Sequence, residues 1–498
     1  MDYQESLTYI ERLGHEFLAM RPGLERITSI LGRLDNPHKA YPSVIVAGTN
    51  GKGSVAVMIE AILRSARVRV GLFTSPHLIR PEERIRLDGR PISQEGFAAA
   101  ASLVANAVEE LHEQKKITSR PSFFEFLAAM AFEYFRSEQS DVAVLEVGLG
   151  GRLDATNVAP AFLTVITSID YDHEKHLGTT LEAIAGEKAA TIKPGCRAVV
   201  AVLQPEVVEV MTQHARTTGT EPTWIAPAGP CRVIERQVDR DGHRMVDLIT
   251  TEGRLEGVLV GLRGSHQSLN AITATEACLE LRRLGSDVAE VDIREGLSSV
   301  RWPGRLELLL PGKGGSSYQE RPHIGSFFGG HCLFESRDLP DISVRGPRQA
   351  EGCPRAAPGP AILLDGAHNP AAARVLRAAL EEIRPRHVTL IFGAMRDKKI
   401  EGMAKEIFPS TTLRILTRVE DARAADLVTL RSVAEEFGPF SWADRPQEAL
   451  KLAVESTPGD GLVCVTGSLY LVGAVKKILQ EQSSGGLAGE FAKGSSLS

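Results

Sequence analysis

The chain has 498 residues, of which 43% are hydrophobic and 24% charged, and its net charge is −6. That length suggests about two to three domains with separate cores. The acidic balance speaks against nucleic acid or an anionic membrane surface as the main partner, and no apolar run reaches the roughly 18 residues needed to span a bilayer. The opening MDYQESLTYIERL is acidic and amphipathic, unlike a secretory signal. Cysteines at 196, 231, 278, 332, 353 and 464 include no CxxC pair. They read as free thiols of a reducing cytoplasm.

Residues 1–40 read as a helical lead-in, with GLERITSILGRL (23–34) apolar at helical spacing. From 43 to about 200, β-rich runs alternate with helical patterns. The runs are SVIVA (43–47), RVGLFT (69–74), VAVLEVG (142–148), LTVITSI (163–169) and RAVVAVL (197–203), with helices over 94–114 and 122–136. Such alternation predicts right-handed βαβ units and a mostly parallel sheet. Residues 220–262 read as an antiparallel extension, and a helix-rich stretch, 268–298, closes the first domain. Trp302-Pro303-Gly304 then breaks the helical pattern, giving domains over 1–303 and 304–482. The second, smaller domain repeats the alternation, with strands AILLDGA (361–367), HVTLIFGA (387–394), LRILTRV (413–419) and GLVCVTGS (461–468). Residues 311–360, rich in Gly, Pro, Ser and Arg, read as a surface insertion. The tail, 483–498, reads as disordered.

The segment richest in chemistry is VAGTNGKGS (46–54), between an apolar strand and the helical pattern SVAVMIEAILRSA (54–66). Glycines let loop N–H groups turn toward an anion. The helix N-terminus adds its positive end, and Lys52 adds a mobile charge for the outer phosphates. Two departures from the standard phosphate loop stand out. Only two residues separate Gly48 from Gly51, where the standard pattern has four. Gly53 also stands where a metal-binding Ser or Thr would follow the lysine. A Mg²⁺ here would find its hydroxyl at Ser54 or elsewhere.

Five more segments place polar residues where α/β folds build sites, at the carboxyl ends of strands. Ser75 follows one strand in LFTSPHL (72–78) and could provide the missing hydroxyl. Glu146 sits in a strand of Val and Leu, where a carboxylate either pairs with a core arginine or binds a metal. Behind it, GLGGRLDATN carries Arg152 and Asp154 on a loop able to approach a ligand closely. His173, in TSIDYDHEKHLG (167–178), is a candidate metal ligand, with Asp172 and His176 as competitors. Lys188 and Lys193 lie on or near a helix over 184–195. In ILLDGAHNP (362–370), Asp365 and His368 follow a buried strand of the second domain. Jointly these describe a nucleotide site with a divalent metal in the first domain, facing a polar rim in the second.

The combined pattern resembles the folylpolyglutamate synthase and dihydrofolate synthase family, within the Mur ligase superfamily. The segments that carry it, in order, include GLERI, VAGTNGKGS, TSPHL, ERIRLDG, LEVGLGGRLDATN, DHEKHLG, GEKAATIKPG, HQSLNA, WPGRLE, LLDGAHNP, FGAMRDKK and VTGSLYLVG. They run from residue 23 to about 473 and leave out only 311–360 and the tail. The resemblance implies an α/β fold with an N-terminal P-loop ATPase-like domain and a smaller C-terminal Rossmann-like domain. It implies an ATP-dependent ligase that joins L-glutamate to a folate-type carboxylate through an acyl phosphate. The substrates would be reduced folates, with dihydropteroate as a further acceptor.

By the same resemblance, Asn50, Gly51, Lys52, Gly53 and Ser54 cradle the triphosphate. Asn270, Arg305 and Asp365 contact the nucleotide, the last two from the second domain. Ser54, Ser75 and Glu146 would hold one Mg²⁺. His173 would hold another, together with Lys188, which the family carbamylates. Lys52, His173, Lys188 and His368 would act on the phosphoryl group, while Phe124, Glu125, Arg152, Leu153, Asp154 and Ala155 meet the pterin side. A monomer is implied, without nucleic-acid or membrane partners. Two departures from the family pattern are EKAATIKPG for EKAGIIKPG and Asp397-Lys398-Lys399 for DKD. One alternative is a Mur-type peptidoglycan ligase, which would need a UDP-sugar domain ahead of the loop, where only 47 residues precede Gly48. The other is a P-loop kinase or a nucleotide-binding module without ligase activity.

Overall fold

Five consecutive buried residues make up β1 (Ser43–Ala47), and their alternation feeds two cores at once. Ile45 and Ala47 join one apolar cluster, and Val44 and Val46 join another on the opposite face. A strand covered by helices on both sides has this composition. In the computed structural model, which describes residues 1–14, 23–239, 242–283, 285–312, 318–320 and 359–483, this strand lies near the middle of an eight-stranded sheet. The other strands are β2 (Val70–Phe73), β3 (Ile85–Leu87), β4 (Arg90–Pro91), β5 (Val142–Glu146), β6 (Ala161–Ile166), β7 (Arg197–Val200) and β8 (Thr223–Trp224), in the order β4-β3-β2-β5-β1-β6-β7-β8. All neighbours are parallel except the β2–β3 and β3–β4 pairs, which form an antiparallel edge.

The helices of this half are α1 (Tyr3–Arg12), α2 (Glu25–Arg33), α3 (Lys52–Ser65), α4 (Gln94–Glu113), α5 (Phe123–Ser137), α6 (Glu174–Leu177), α7 (Leu181–Ala189), α8 (Pro205–Thr218), α9 (His266–Arg282) and α10 (Glu290–Ser299). Local signals set several of them. Asp2 and Ser122 close capping boxes at the starts of α1 and α5, satisfying N–H groups that the first turn leaves open. The expected antiparallel extension is instead a separate sheet of β9 (Arg232–Val238), β10 (Arg244–Thr250) and β11 (Gly253–Val260). Val246, Leu248, Val258 and Val260 pack it onto the α3–α9 side of the large sheet, so it serves as a cover for that face.

The second sheet begins with β12 (Glu307–Pro311), just past the Trp-Pro-Gly break. With β13 (Tyr318–Glu320), β14 (Ala361–Leu364), β15 (Val388–Phe392), β16 (Leu413–Thr417), β17 (Ser441–Ala443) and β18 (Leu462–Thr466), its order is β13-β12-β14-β18-β15-β16-β17. β12 is antiparallel to β13 and β14, and the rest is parallel. Around it lie α11 (Pro370–Ile383), α12 (Ile400–Ile407), α13 (Leu427–Glu435), α14 (Pro446–Ser456) and α15 (Leu469–Ser483). The insertion read at 311–360 lies outside the described residues except at its ends and at β13, and so does the tail from 484. Cysteines 196, 231, 278 and 464 are buried and free, whereas 332 and 353 fall outside the described residues. No described helix is long and apolar enough to cross a membrane.

The helix that opens at the phosphate loop is clamped from behind. A Cβ at Gly296 of α10 would lie 2.5 Å from the Ile62 backbone of α3. Gly296→Ala therefore drives the two helices apart and should cost about 1–3 kcal/mol, as overpacking of a tight interior does. Urea unfolding checks this; an unchanged midpoint would show that the contact is slack.

Candidate active site

The turn after β1 fits its place only because two of its residues lack side chains. Gly48 and Gly51 have φ of +150° and +87°. A Cβ at 48 would lie 1.8 Å from Thr167 Oγ1, and one at 51 would lie 2.8 Å from Asn270 Oδ1. The turn is strapped to the segment following β6. Thr167 Oγ1 donates to the Asn50 carbonyl at 2.8 Å, the Thr49 N–H donates to the Ser168 carbonyl at 2.7 Å, and Thr49 Oγ1 donates to the Asp170 carbonyl at 3.0 Å. Lys52, the first residue of α3, folds its Nζ back onto the Thr49 carbonyl at 3.0 Å. Its ammonium is pushed down by burial, against the pull of Glu146 and Asp172.

Gly53 has a steric reason to lack the hydroxyl of the standard loop. A Cβ there would lie 3.0 Å from Trp302 Nε1 and 3.4 Å from Glu146 Oε1. Ser54 is buried, and its Oγ accepts from Gln267 Nε2 at 3.3 Å. That hydroxyl is thus tied to α9. Gln267 Oε1 in turn accepts from Asn270 Nδ2 at 2.9 Å, which orients Asn270 toward the loop. At the end of β5, Glu146 is buried without an ion pair among the described residues, contrary to a core salt bridge. Its Oε2 accepts from the Ser75 N–H at 2.9 Å. Burial raises its pKa, opposed first by Lys52. Ser75 itself lies just past β2 and lines the same cavity as this carboxylate.

A second loop, 148–155, is organised by Asp154. Its Oδ2 accepts from the Gly148 and Leu149 N–H groups, both at 3.0 Å, and its Oδ1 accepts from the Thr156 N–H and Oγ1 at 2.9 and 2.6 Å. Both oxygens are therefore engaged within the loop. Phe124 packs under Gly148, where a Cβ would come within 2.7 Å of its ring. Glu125 closes the α5 capping box through Ser122 and pairs with Arg26 at 3.0 Å, and its buried Oε1 has no hydrogen-bond partner among the described residues. Leu153 is exposed at the cavity rim and Ala155 is buried. Arg152 departs from its expected place. It is half exposed, pairs with Glu187 at 3.0 Å, and does not line the cavity. Its guanidinium is held on α7 by the Glu187 carboxylate at 3.0 Å and the Gly186 carbonyl at 3.3 Å.

Lys188 projects from α7 into the same space, almost wholly buried, with Nζ donating to the Gly48 carbonyl at 2.7 Å. Burial and then the nearby Lys52 charge push its pKa down to about 7. His173 immediately precedes α6 in a left-handed conformation, φ 51°. Burial holds it down to about 3, although Asp172 pulls upward. From the second domain, Asp365 accepts from the Leu306 and Ala367 N–H groups at 2.9 and 3.0 Å, with Arg305 nearby in charge. His368 Nδ1 lies 2.8 Å from the Gly366 carbonyl. The two domains meet at the loop: Asn369 Nδ2 donates to Asn50 Oδ1 at 3.1 Å, and Lys398 Nζ reaches Asp172 Oδ1 at 2.6 Å.

One cavity collects these groups. Apart from Arg152 and Lys193, whose Nζ donates to the Asn157 and Ala159 carbonyls, every residue singled out for the site lines it, including Asn50, Ser54, Ser75, Asn270, Arg305, Asp365 and His368. Lys398, Arg423, Ser468 and Tyr470 also line it although sequence reasoning gave them no role. The strand-end rule applied to β18, which ends at Thr466, would have found Ser468. Among the described residues no group of three or more His, Cys, Asp and Glu side chains could hold a metal alone. Glu146 with Ser75 does suit a Mg²⁺ that arrives bound to phosphates, since that ion commonly takes one or two carboxylates and completes its shell with phosphate oxygens and water.

The comparisons agree with this geometry. Residues 46–278 match the Mur ligase middle domain, and residues 354–469 match the Mur ligase glutamate ligase domain. A dihydrofolate synthase/folylpolyglutamate synthase of Bacillus subtilis is 31% identical over 481 residues, covering 96% of this chain and 99% of the relative. A folylpolyglutamate synthase of Lacticaseibacillus casei is 32% identical, with coverages of 96% and 99%. The structure of Mycobacterium tuberculosis folylpolyglutamate synthase complexed with ADP and AMPPCP superimposes with a TM-score of 0.80 at 30% identity, covering 96% of this chain and 99% of that one. A glycine loop at a helix N-terminus that faces a glutamate ligase domain across one cavity, and relatives that match end to end, place this chain in the dihydrofolate synthase/folylpolyglutamate synthase branch of the Mur ligases, ATP-dependent enzymes that form amide bonds.

Proposed function

We propose that this chain joins L-glutamate to the carboxylate of a reduced folate, and also to dihydropteroate, using ATP and Mg²⁺. The observation that carries the reading is the shared cavity. The glycine loop with Lys52, Phe124 and Glu125 of the first domain, and Arg305, His368 and Lys398 of the second all line it. The acceptor carboxylate attacks the γ-phosphorus, the bond to the β-phosphate oxygen breaks, and ADP leaves. The glutamate amine then attacks the acyl carbon, loses a proton, and expels phosphate. Catalysis of this kind consists of positioning and of neutralising phosphoryl charge.

Lys52, Asn270 and the loop N–H groups bind the triphosphate. Arg305 and Asp365 bring the second domain onto the nucleotide, and His368 orients the transferred group. Glu146 and Ser75 suit one Mg²⁺, and His173 with Lys188 a second; such ions supply further charge neutralisation when bound. Ser54 is better read as a tie between the loop and α9. The depressed Lys188 amine supports carbamylation, since a neutral amine adds CO₂ and becomes a carboxylate-like ligand. Four buried free thiols support a reducing cytoplasm.

Purified protein given ATP, Mg²⁺ and glutamate should release phosphate on addition of dihydropteroate or tetrahydrofolate. No release with either acceptor would end the ligase reading, and parallel assays rank the two. Lys52→Ala should lower turnover by about 10²-fold or more, the scale on which one electrostatic donor acts; near-normal turnover would remove Lys52 from the cradle. Ser75→Ala should raise the Mg²⁺ concentration needed for half-maximal rate, and an unchanged titration would exclude Ser75. Lys188 in the unfolded chain keeps its proton up to about pH 10.4. Between about 7 and 10.4 the unfolded state therefore binds more protons, and this group's destabilising effect is relieved as pH rises. Carbamate formation from labelled bicarbonate, followed by NMR, should accordingly grow from about pH 6 to pH 8.5 and vanish in Lys188→Ala. A signal that persists in that variant assigns it elsewhere.

A further inference from the structure

Three side chains of the second domain converge on one carboxylate of the first. Lys398 Nζ lies 2.6 Å from Asp172 Oδ1, Asn369 Nδ2 lies 3.4 Å from Asp172 Oδ2, and His368 Nε2 lies 3.6 Å from the same oxygen. The Asp172 and Lys398 side chains are 10% and 9% exposed, so this contact is shielded far more than a surface ion pair. Burial alone would raise Asp172. The hydrogen bond and charge of His368, then His173 and Lys398, outweigh it and hold the carboxylate well below its usual range.

Lys398 does a second thing. Its Nζ also lies 3.5 Å from His173 Nε2. An ammonium has only donors, so this nitrogen can meet it only with its lone pair. An imidazole nitrogen that accepts from the ammonium has one such lone pair, the one a metal ion uses. The lysine contact and a metal bond at Nε2 exclude one another.

We propose that Lys398 is the resident cation of the His173 position: it holds Asp172 and His173 in place and withdraws when a divalent cation takes the imidazole. The inference rests on the metal reading of His173 given above. The long stem of lysine permits the withdrawal without backbone movement, and the cavity beyond it, which Lys52 also lines, is where phosphoryl oxygens would receive the freed charge. In the nucleotide-free protein the lysine therefore opposes metal binding, so the ion enters together with phosphate rather than before it. A side chain acting only as an interdomain tie would weaken metal binding when removed, or leave it alone. Removal of a competing cation strengthens it.

The test is a Mn²⁺ titration of the full-length, nucleotide-free protein, with free ion followed by electron paramagnetic resonance. Lys398→Met and Lys398→Gln should bind the His173 equivalent at least about tenfold more tightly than the parent, as removal of a like charge a few ångströms away requires. His173→Ala should lack that equivalent. Equal or weaker affinity in both Lys398 variants, with the equivalent still lost in His173→Ala, overturns the role of the lysine and leaves the metal reading standing. Unchanged binding in His173→Ala overturns the metal reading and the proposal with it. Far-UV circular dichroism melting shows whether each variant is folded. If Lys398→Met fails to fold, Lys398→Gln, which keeps a polar end group, decides alone.

Discussion

The narrow passage of residues 48–51 between Thr167 and Asn270 is the constraint on which the site depends. No side chain fits at 48 or 51, so the loop can make the tight turn that leads into the N-terminus of α3, where an anion is favoured. Because the same loop hydrogen-bonds to residues 167–170, its position and that of Asp172–His173 are fixed together. Asp172 then gathers Lys398, His368 and Asn369 from the other domain. Sheet, loop and domain contact form one connected path. Closing the cavity does not require a separate device.

The electrostatics of the cavity suit an anionic ligand. Lys52 and Lys188 are both pushed down by burial, while Glu146, Asp154 and Asp365 are pushed up by it. Charges arranged in this way are poorly compensated by one another, and burial without full pairing is costly. A triphosphate and its cations would supply the missing partners. Strained ionisation of this type concentrates at functional sites. Here it is matched by geometry, since the groups line one cavity.

Much of this was legible from residue order alone. Buried parallel strands announced themselves as runs of Val, Ile and Leu, and the rule that α/β folds place chemistry at strand ends located Ser75, Glu146 and Asp365. What escaped was whatever depends on residues far apart in the chain. Gly53 reads as a lost hydroxyl until Trp302 and Glu146 are found against it. Ser54 looks available until Gln267, 213 residues away, takes its oxygen. Arg152 reads as a ligand contact, yet its guanidinium pairs with Glu187, 35 residues away, outside the cavity. Lys398 sits in a plain run of charges, and only the packing of two domains brings it to Asp172. The separate β9–β11 sheet was missed for a related reason: alternation identifies strands, but a register with the main sheet is decided by the helix that intervenes.

The central claim is that the two domains carry out phosphoryl transfer to a carboxylate before the amide forms. Its most direct test uses acceptor substrate whose carboxylate bears heavy oxygen. With ATP and glutamate, mass spectrometry of the released phosphate should find one labelled oxygen per amide formed, because the acyl phosphate leaves with an oxygen of the former carboxylate. Amide product accompanied by unlabelled phosphate would contradict the account.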